Sequence, residues 1–225
     1  GLVVVPLYTD DRAENAAYIL DDSGARLLLL EDQKQWQPLK ELRSQMSNLF
    51  RIITINPFED LTKDAVNADL NTLCDWLPKE AGKVQHANHE PNDLATIMYT
   101  SGTSGRPKGV MLSHHNLLTN ANSCLQIVSV SQDDLFLSFL PLSHAFERTV
   151  GYCLPVMAGA TVAYARSIQQ LQEDLVNIRP SILMSVPRIY DRVYAAIHAK
   201  LEKKSALSRF IFNYAMASIH FDNDE

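Results

Sequence analysis

From Tyr99 to Val110 the sequence reads Y-T-S-G-T-S-G-R-P-K-G-V, a set of residue types suited to holding a polyanion. Thr100, Ser101, Thr103 and Ser104 offer hydroxyls that donate to phosphate oxygens or ligate a hard cation. Gly102, Gly105 and Gly109 let backbone N–H groups approach and turn inward as an anion-binding nest. Lys108 supplies a point charge that can follow the outer phosphates, and Pro107 restrains its backbone. A solvated Gly/Ser turn has a similar composition. The lysine, the proline and the position straight after an apolar strand favour a phosphate loop.

The spacing excludes three better-known loops. A Walker A loop places Lys directly after Gly, whereas Lys108 lies three residues beyond Gly105 and precedes Gly109. No G-x-G-x-x-G dinucleotide fingerprint is present. Ser104 is flanked as G-T-S-G-R, which is not the G-x-S-x-G elbow of serine hydrolases. Elsewhere His86-x-x-His89-Glu90 inverts the H-E-x-x-H order of a helical zinc site, and His114 and His115 are adjacent, so their side chains diverge. Neither is read as a metal centre. His144 follows an apolar stretch, and a lone histidine there is ordinarily a hydrogen-bonded structural residue. Cys74, Cys124 and Cys153 are odd in number and form no C-x-x-C pair, so they are expected to be reduced, mostly buried thiols of a cytosolic protein.

The elements that must carry these residues alternate between strand and helix. Leu2–Leu7, Leu27–Leu30 and Arg51–Ile55 read as buried strands, with helices after Asp10-Asp11 and over Gln35–Met46. Gly24 suits the left-handed residue just past a helix end. A short helix is expected around Leu70–Leu77. After the polar stretch Lys79–Asp93 the alternation resumes: strands at Ala95–Tyr99, Val110–Leu112, Leu135–Leu140, Ala160–Tyr164 and Ile182–Met184, with helices between them and two more from Arg188 onward. This order predicts an α/β fold, a layered and largely parallel sheet flanked by helices. The expected organisation is a strand/helix Rossmann-like subdomain over 1–78, a polar connecting loop over 79–93, and an α/β subdomain over 94–225 that carries the phosphate loop.

Of 225 residues, 46% are hydrophobic and 20% charged, as in an ordinary globular protein. The net charge of −6 is uneven: residues 1–93 carry 9 Lys+Arg against 16 Asp+Glu, and residues 94–225 carry 11 against 10. An acidic chain without a basic block lacks the electrostatic footprint of a nucleic-acid binder. No apolar run reaches the roughly 18 residues of a membrane helix. The chain opens on Gly1-Leu2-Val3-Val4-Val5 with neither an initiator Met nor a basic n-region, so it is expected to be a piece truncated at both ends rather than a secretory precursor.

The phosphate-loop segment closely resembles the signature of the AMP-binding (adenylate-forming) superfamily of acyl-CoA synthetases, luciferases and peptide-synthetase adenylation domains. Three other segments agree in order and spacing. Gly1–Asp32 resembles the first Rossmann-like half-unit of that family. Phe139-Leu140-Pro141-Leu142-Ser143-His144 resembles its L-P-x-x-H element. Ser181–Tyr194, S-I-L-M-S-V-P-R-I-Y-D-R-V-Y, resembles the V-P-R-[IV]-[YF]-[DE] stretch of the long-chain fatty acyl branch, and His144–Arg148 leans the same way. The resemblance spans essentially the whole chain and implies part of the family's large N-terminal domain.

It also implies a chemistry. The enzymes of this family join a carboxylate to the α-phosphate of ATP, release pyrophosphate, and pass the acyl group to a thiol, usually CoA. By resemblance, Thr100, Ser101, Gly102, Thr103, Ser104 and Gly105 wrap the β- and γ-phosphates, Thr103 ligates Mg²⁺, Lys108 sits beside the phosphates, and His144 lies near the acyl and adenylate pocket without acting as general base. Arg188 is read as a brace for the helix that Pro187 starts. The implied substrates are a long-chain fatty acid, ATP and CoA, in a cytoplasmic enzyme that associates peripherally with the inner face of the membrane. Medium-chain, aryl or amino-acid adenylation, and a non-catalytic ATP-binding module, remain the alternative readings. The family's later Y-G-x-[ST]-E segment, ribose-binding aspartate and C-terminal lysine are absent, so the fragment alone is expected not to turn over.

Overall fold

The computed structural model describes residues 1–57, 69–80, 82, 87–100, 105–202, 204, 205, 207, 209–212 and 214. It divides into two compact units, Gly1–Ile182 and Leu183–Glu225.

In the first unit, helix α1 (Ala13–Asp22) buries Ala16, Ala17, Ile19 and Leu20, and it stops where Gly24 takes a left-handed φ of 64°. Strands β1 (Leu27–Leu30), β2 (Arg51–Thr54) and β3 (Leu70–Thr72) form a parallel sheet in that order. Helix α2 (Gln33–Lys40) begins on Asp32, whose carboxylate accepts the Lys34 and Gln35 N–H groups. The stretch expected to run helical to Met46 is interrupted: Pro38 removes one helix bond, α2 ends at Lys40, and a single 3₁₀ turn covers Arg43–Gln45. Leu70–Leu77 likewise differs from the expected helix. Its first three residues join the sheet as β3, and only α3 (Leu73–Trp76) is helical, with the Thr72 hydroxyl capping the Asp75 N–H. Trp36, Met46, Leu49, Ile52 and Leu28 make the core of this half.

The opening Leu2–Leu7 run is not the buried strand its composition suggests. Val4 alone forms a bridge, to Thr96, and Leu2 is 87% exposed. The whole run instead lines an apolar cavity of about 810 Å³ together with α1 and β1.

Strands β4 (Leu94–Thr100) and β5 (Lys108–Ser113) pair antiparallel and are joined by the phosphate-loop segment. Helix α4 (His114–Ile127) follows directly, closed by a capping box in which Ser113 and Asn116 exchange hydrogen bonds. Strand β6 (Leu135–Ser138) pairs parallel with β7 (Thr161–Tyr164), and Ile182 adds a parallel bridge to Phe136. Between β6 and β7 lie a π-helical segment, Glu147–Cys153, and helix α5 (Leu154–Ala158), ended by Gly159 at φ 72°. Helix α6 (Leu171–Ile178) completes the unit, its Asp174 buried and paired with Arg166. Helix α7 (Pro187–Glu202) lies in the second unit and buries none of its side chains there. Among the described residues no helix is long and apolar enough to cross a membrane. The cysteines are free as expected, though not mostly buried: Cys74 is exposed and the other two are half-buried.

Candidate active site

The hairpin β4–β5 sets the mouth of the phosphate loop. Its last register pair is Thr100 opposite Lys108, so the loop's first hydroxyl and its only lysine stand face to face on adjacent strands. Both are exposed, and none of the described carboxylates is ion-paired with Lys108. Gly105 sits at φ 90°, a conformation that side chains rarely adopt, and nothing lies within 4 Å of where a Cβ would be. Glycine is the residue that adopts this conformation without strain. Ser101, Gly102, Thr103 and Ser104 lie outside the described residues.

Behind the mouth the hairpin is packed and bonded. Met98, Thr96 and Ala95 are buried, and the Thr96 hydroxyl donates to the Val4 carbonyl at 2.6 Å. Tyr99 lies across from Gly109, where a Cβ would stand 3.0 Å from the tyrosine's Cζ and 2.9 Å from Ile97 Cγ2. Glycine here makes room for the ring. The Tyr99 hydroxyl donates to Asp22 Oδ2 at 2.6 Å, and its ionisation is pushed well above the ordinary phenol range, first by burial and then by that carboxylate. Arg106 places its guanidinium 5.5 Å from the centre of the Tyr18 ring. Arg106, Pro107 and the polar face of α1 (Glu14, Tyr18, Asp21) border a cavity of about 400 Å³.

His144 belongs to a second constellation, at the exit of β6. The chain turns after Ser138, and the His144 N–H donates to the Pro141 carbonyl at 2.9 Å. The Phe146 N–H donates to His144 Nδ1 at 3.3 Å, so Nδ1 serves as acceptor and the neutral ring carries its proton on the exposed Nε2. One turn on, Glu147 is only 1% exposed. Its Oε1 accepts the Ser138 hydroxyl at 2.5 Å, while Oε2 has no partner among the described residues. Burial therefore pushes the Glu147 carboxyl above the usual carboxylate range, more strongly than the serine lowers it. The wider turn of the π-helix seats this carboxyl against Gly151, where a side chain would collide with it.

Residues 1–218 match the family described as AMP-binding enzyme. The chain belongs to that family. Among curated relatives of this AMP-binding enzyme, fatty acyl-CoA synthetase A of Dictyostelium discoideum is 32% identical over 226 residues, covering 97% of this chain and 33% of the relative. Long-chain-fatty-acid–CoA ligase 5 of Rattus norvegicus is 30% identical over 228 residues, again covering 97% of this chain and 33% of the relative. The chain thus spans about a third of the length of these relatives. A crystal structure of the anthranilate CoA ligase AuaEII in complex with anthranoyl-AMP superposes with a TM-score of 0.71 at 22% identity, over 84% of this chain and 36% of that one. The α/β architecture with parallel sheets and flanking helices is therefore that of the adenylate-forming fold.

Of the residues singled out from the sequence of this AMP-binding enzyme, Thr100 and Lys108 are brought together at the hairpin mouth, Gly105 lies three residues before Lys108, and His144 follows the end of a strand in a different sheet. Arg188 is the second residue of α7 and is exposed. Asp22, Tyr18 and Glu147 were not anticipated. The signal for Asp22 was present, since two acidic residues close α1 at the end a helix dipole makes unfavourable for them. Among the described residues no group of three His, Cys, Asp or Glu could hold a metal ion.

Proposed function

We propose that this chain is the phosphate-loop portion of an ATP-dependent long-chain fatty acid–CoA ligase. The observation that carries the reading is the register pair Thr100–Lys108, which sets a hydroxyl-bearing residue opposite a lysine that has no ion-pair partner among the described residues, at the edge of a glycine-rich loop. The synthetase relatives at 30% identity or more support a long-chain acid over aryl or amino-acid substrates, and the anthranoyl-AMP bound to AuaEII supports an acyl-adenylate intermediate.

In this reading Thr100, Ser101, Gly102, Thr103, Ser104 and Gly105 enclose the β- and γ-phosphates, and Lys108 neutralises the charge that accumulates there. The fatty carboxylate attacks the α-phosphorus, the bond to the bridging oxygen breaks, and pyrophosphate leaves with the electron pair. Fixed donors aimed at the leaving group lower the barrier because they need not reorganise. The CoA thiolate then attacks the acyl carbonyl and AMP departs. His144, whose Nδ1 accepts the Phe146 N–H, keeps Nε2–H as a donor for the acyl-adenylate. A loop rich in hydroxyls and without a carboxylate would suit Mg²⁺ carried in by the phosphates. Thr103 would be its protein ligand, and the ion would supply neutralisation of the phosphate oxygens. Residues 1–78 and 94–225 are proposed as the two subdomains, and the whole enzyme as cytoplasmic with peripheral membrane association.

Calorimetric titration of ATP into wild-type and Lys108→Ala chains tests the loop. The variant is expected to lose about 1–3 kcal/mol of binding free energy, as for other charge-assisted contacts. Equal affinities would overturn the reading. For the full-length enzyme, CoA-ligase rates across acids of different length and type test the substrate class, and a preference for aryl or amino acids would refute the long-chain assignment.

A further inference from the structure

Helix α1 ends on Asp21 and Asp22 with no basic residue in its last turn, which places two carboxylates at the negative end of the helix dipole. Each is offset by a contact from far along the chain. Asp21 Oδ1 accepts the Ser47 N–H at 3.3 Å and the Ser47 hydroxyl at 3.1 Å. Asp22 Oδ2 accepts the Tyr99 hydroxyl at 2.6 Å. On the same helix turn the Tyr18 hydroxyl donates to Asp22 Oδ1 at 3.4 Å, and the Tyr18 ring carries Arg106.

Tyr99 immediately precedes Thr100, and Arg106 lies two residues before Lys108. Both feet of the loop thus rest on one helix turn, and Asp22 is the group common to both. Both of its oxygens already accept tyrosine hydroxyls, and an anion in direct contact with a triphosphate would repel it. We infer that Asp22 is a positioning residue for the phosphate loop: through Tyr99 and Tyr18 it holds the hairpin end so that Thr100 and Lys108 face a common point. Gly109 is part of the device, because only a residue without a side chain leaves the Tyr99 ring its path to the carboxylate. The inference rests on the reading of the loop as a triphosphate site.

The test uses the 225-residue chain. Amide hydrogen exchange at Thr100 and Lys108 reports fraying of the last β4–β5 rung, read for wild type, Asp22→Ala, Asp22→Asn, Tyr99→Phe and the Asp22→Ala/Tyr99→Phe double variant. Asp22→Ala and Tyr99→Phe are each expected to speed exchange about tenfold, the size of one charge-assisted hydrogen bond discounted for exposure. The double variant should exchange no faster than either, and Asp22→Asn, which keeps a carbonyl acceptor, should recover most of the protection. Unchanged exchange in the single variants, or effects that multiply in the double, would overturn the anchor. ATP titration of the same proteins separates the two claims: Asp22→Ala should weaken binding with faster exchange, Lys108→Ala without it. If Lys108→Ala leaves ATP binding unchanged, the triphosphate reading fails, while exchange still decides the anchor.

Discussion

The hairpin mouth and the His144 corner are held in opposite ways. Tyr99, Asp22, Tyr18 and Arg106 grip the hairpin through bonds at the surface, each of which water could replace. The corner is gripped by Glu147, a carboxyl shut away from solvent with one oxygen on Ser138 and the other without a partner among the described residues. Surface bonds of this kind contribute little net stability but set direction. A buried carboxyl fixes direction at the expense of stability, because the protein must desolvate it. The hairpin mouth is fastened by contacts that water can replace, and the His144 corner by one that lies out of its reach.

The sharpest way to break this contrast is to place a methyl group on each glycine that makes room for the grip. Gly151→Ala drives a Cβ into the Glu147 carboxyl, which is buried and bonded to Ser138. A loss of about 2–3 kcal/mol is expected, read as a lower urea midpoint. Gly109→Ala meets the ends of the Ile97 and Tyr99 side chains at 2.9 and 3.0 Å, and the Tyr99 hydroxyl's bond to Asp22 is exposed. About 1 kcal/mol should be lost there, together with hairpin protection. Equal losses at the two sites would erase the distinction between a closed grip and an open one.

A smaller effect, diagnostic through its sign, is the pH dependence of Glu147→Gln. The folded carboxyl holds its proton more tightly than the unfolded one, so its contribution is present below the unfolded pKa and is lost as pH rises through the folded pKa. The glutamine variant should match wild type near pH 4 and exceed it in melting temperature at pH 8. A constant difference across that range would refute the upward shift of the buried carboxyl. Asp174 supplies the mirror image. The Arg166 N–H and then its guanidinium hold that carboxyl below the ordinary range, so its contribution exists above the unfolded pKa and fades as pH falls. Asp174→Asn should therefore cost most at neutral pH and converge on wild type in acid.

Much of this architecture was legible in the residues. Apolar runs located β1, β2, β4, β6 and β7, and Gly24 marked the end of α1. What misled was the neighbourhood. Leu2–Leu7 has the composition of a strand covered on both faces, yet composition cannot say whether a second face is covered, and only Val4 pairs. Leu70–Thr72 is too short for any period to show, so β2 decides it by offering an edge. At the site, Thr100, Gly105 and Lys108 were visible because their chemistry is local. Asp22 and Glu147 act through residues 77 and 9 positions away in the chain, and no local pattern encodes such partners.

The register of β4 against β5 carries a last consequence. Thr100 and Lys108 are fastened opposite one another, so the span of the seven residues between them is set by the ladder and not by their own contour. Three extra residues would raise the entropy of closing that ring by only ~0.3 kcal/mol. Insertions at this point should leave melting behaviour nearly untouched, and any nucleotide affinity they abolish would report on how the ring fits its guest rather than on whether the protein folds.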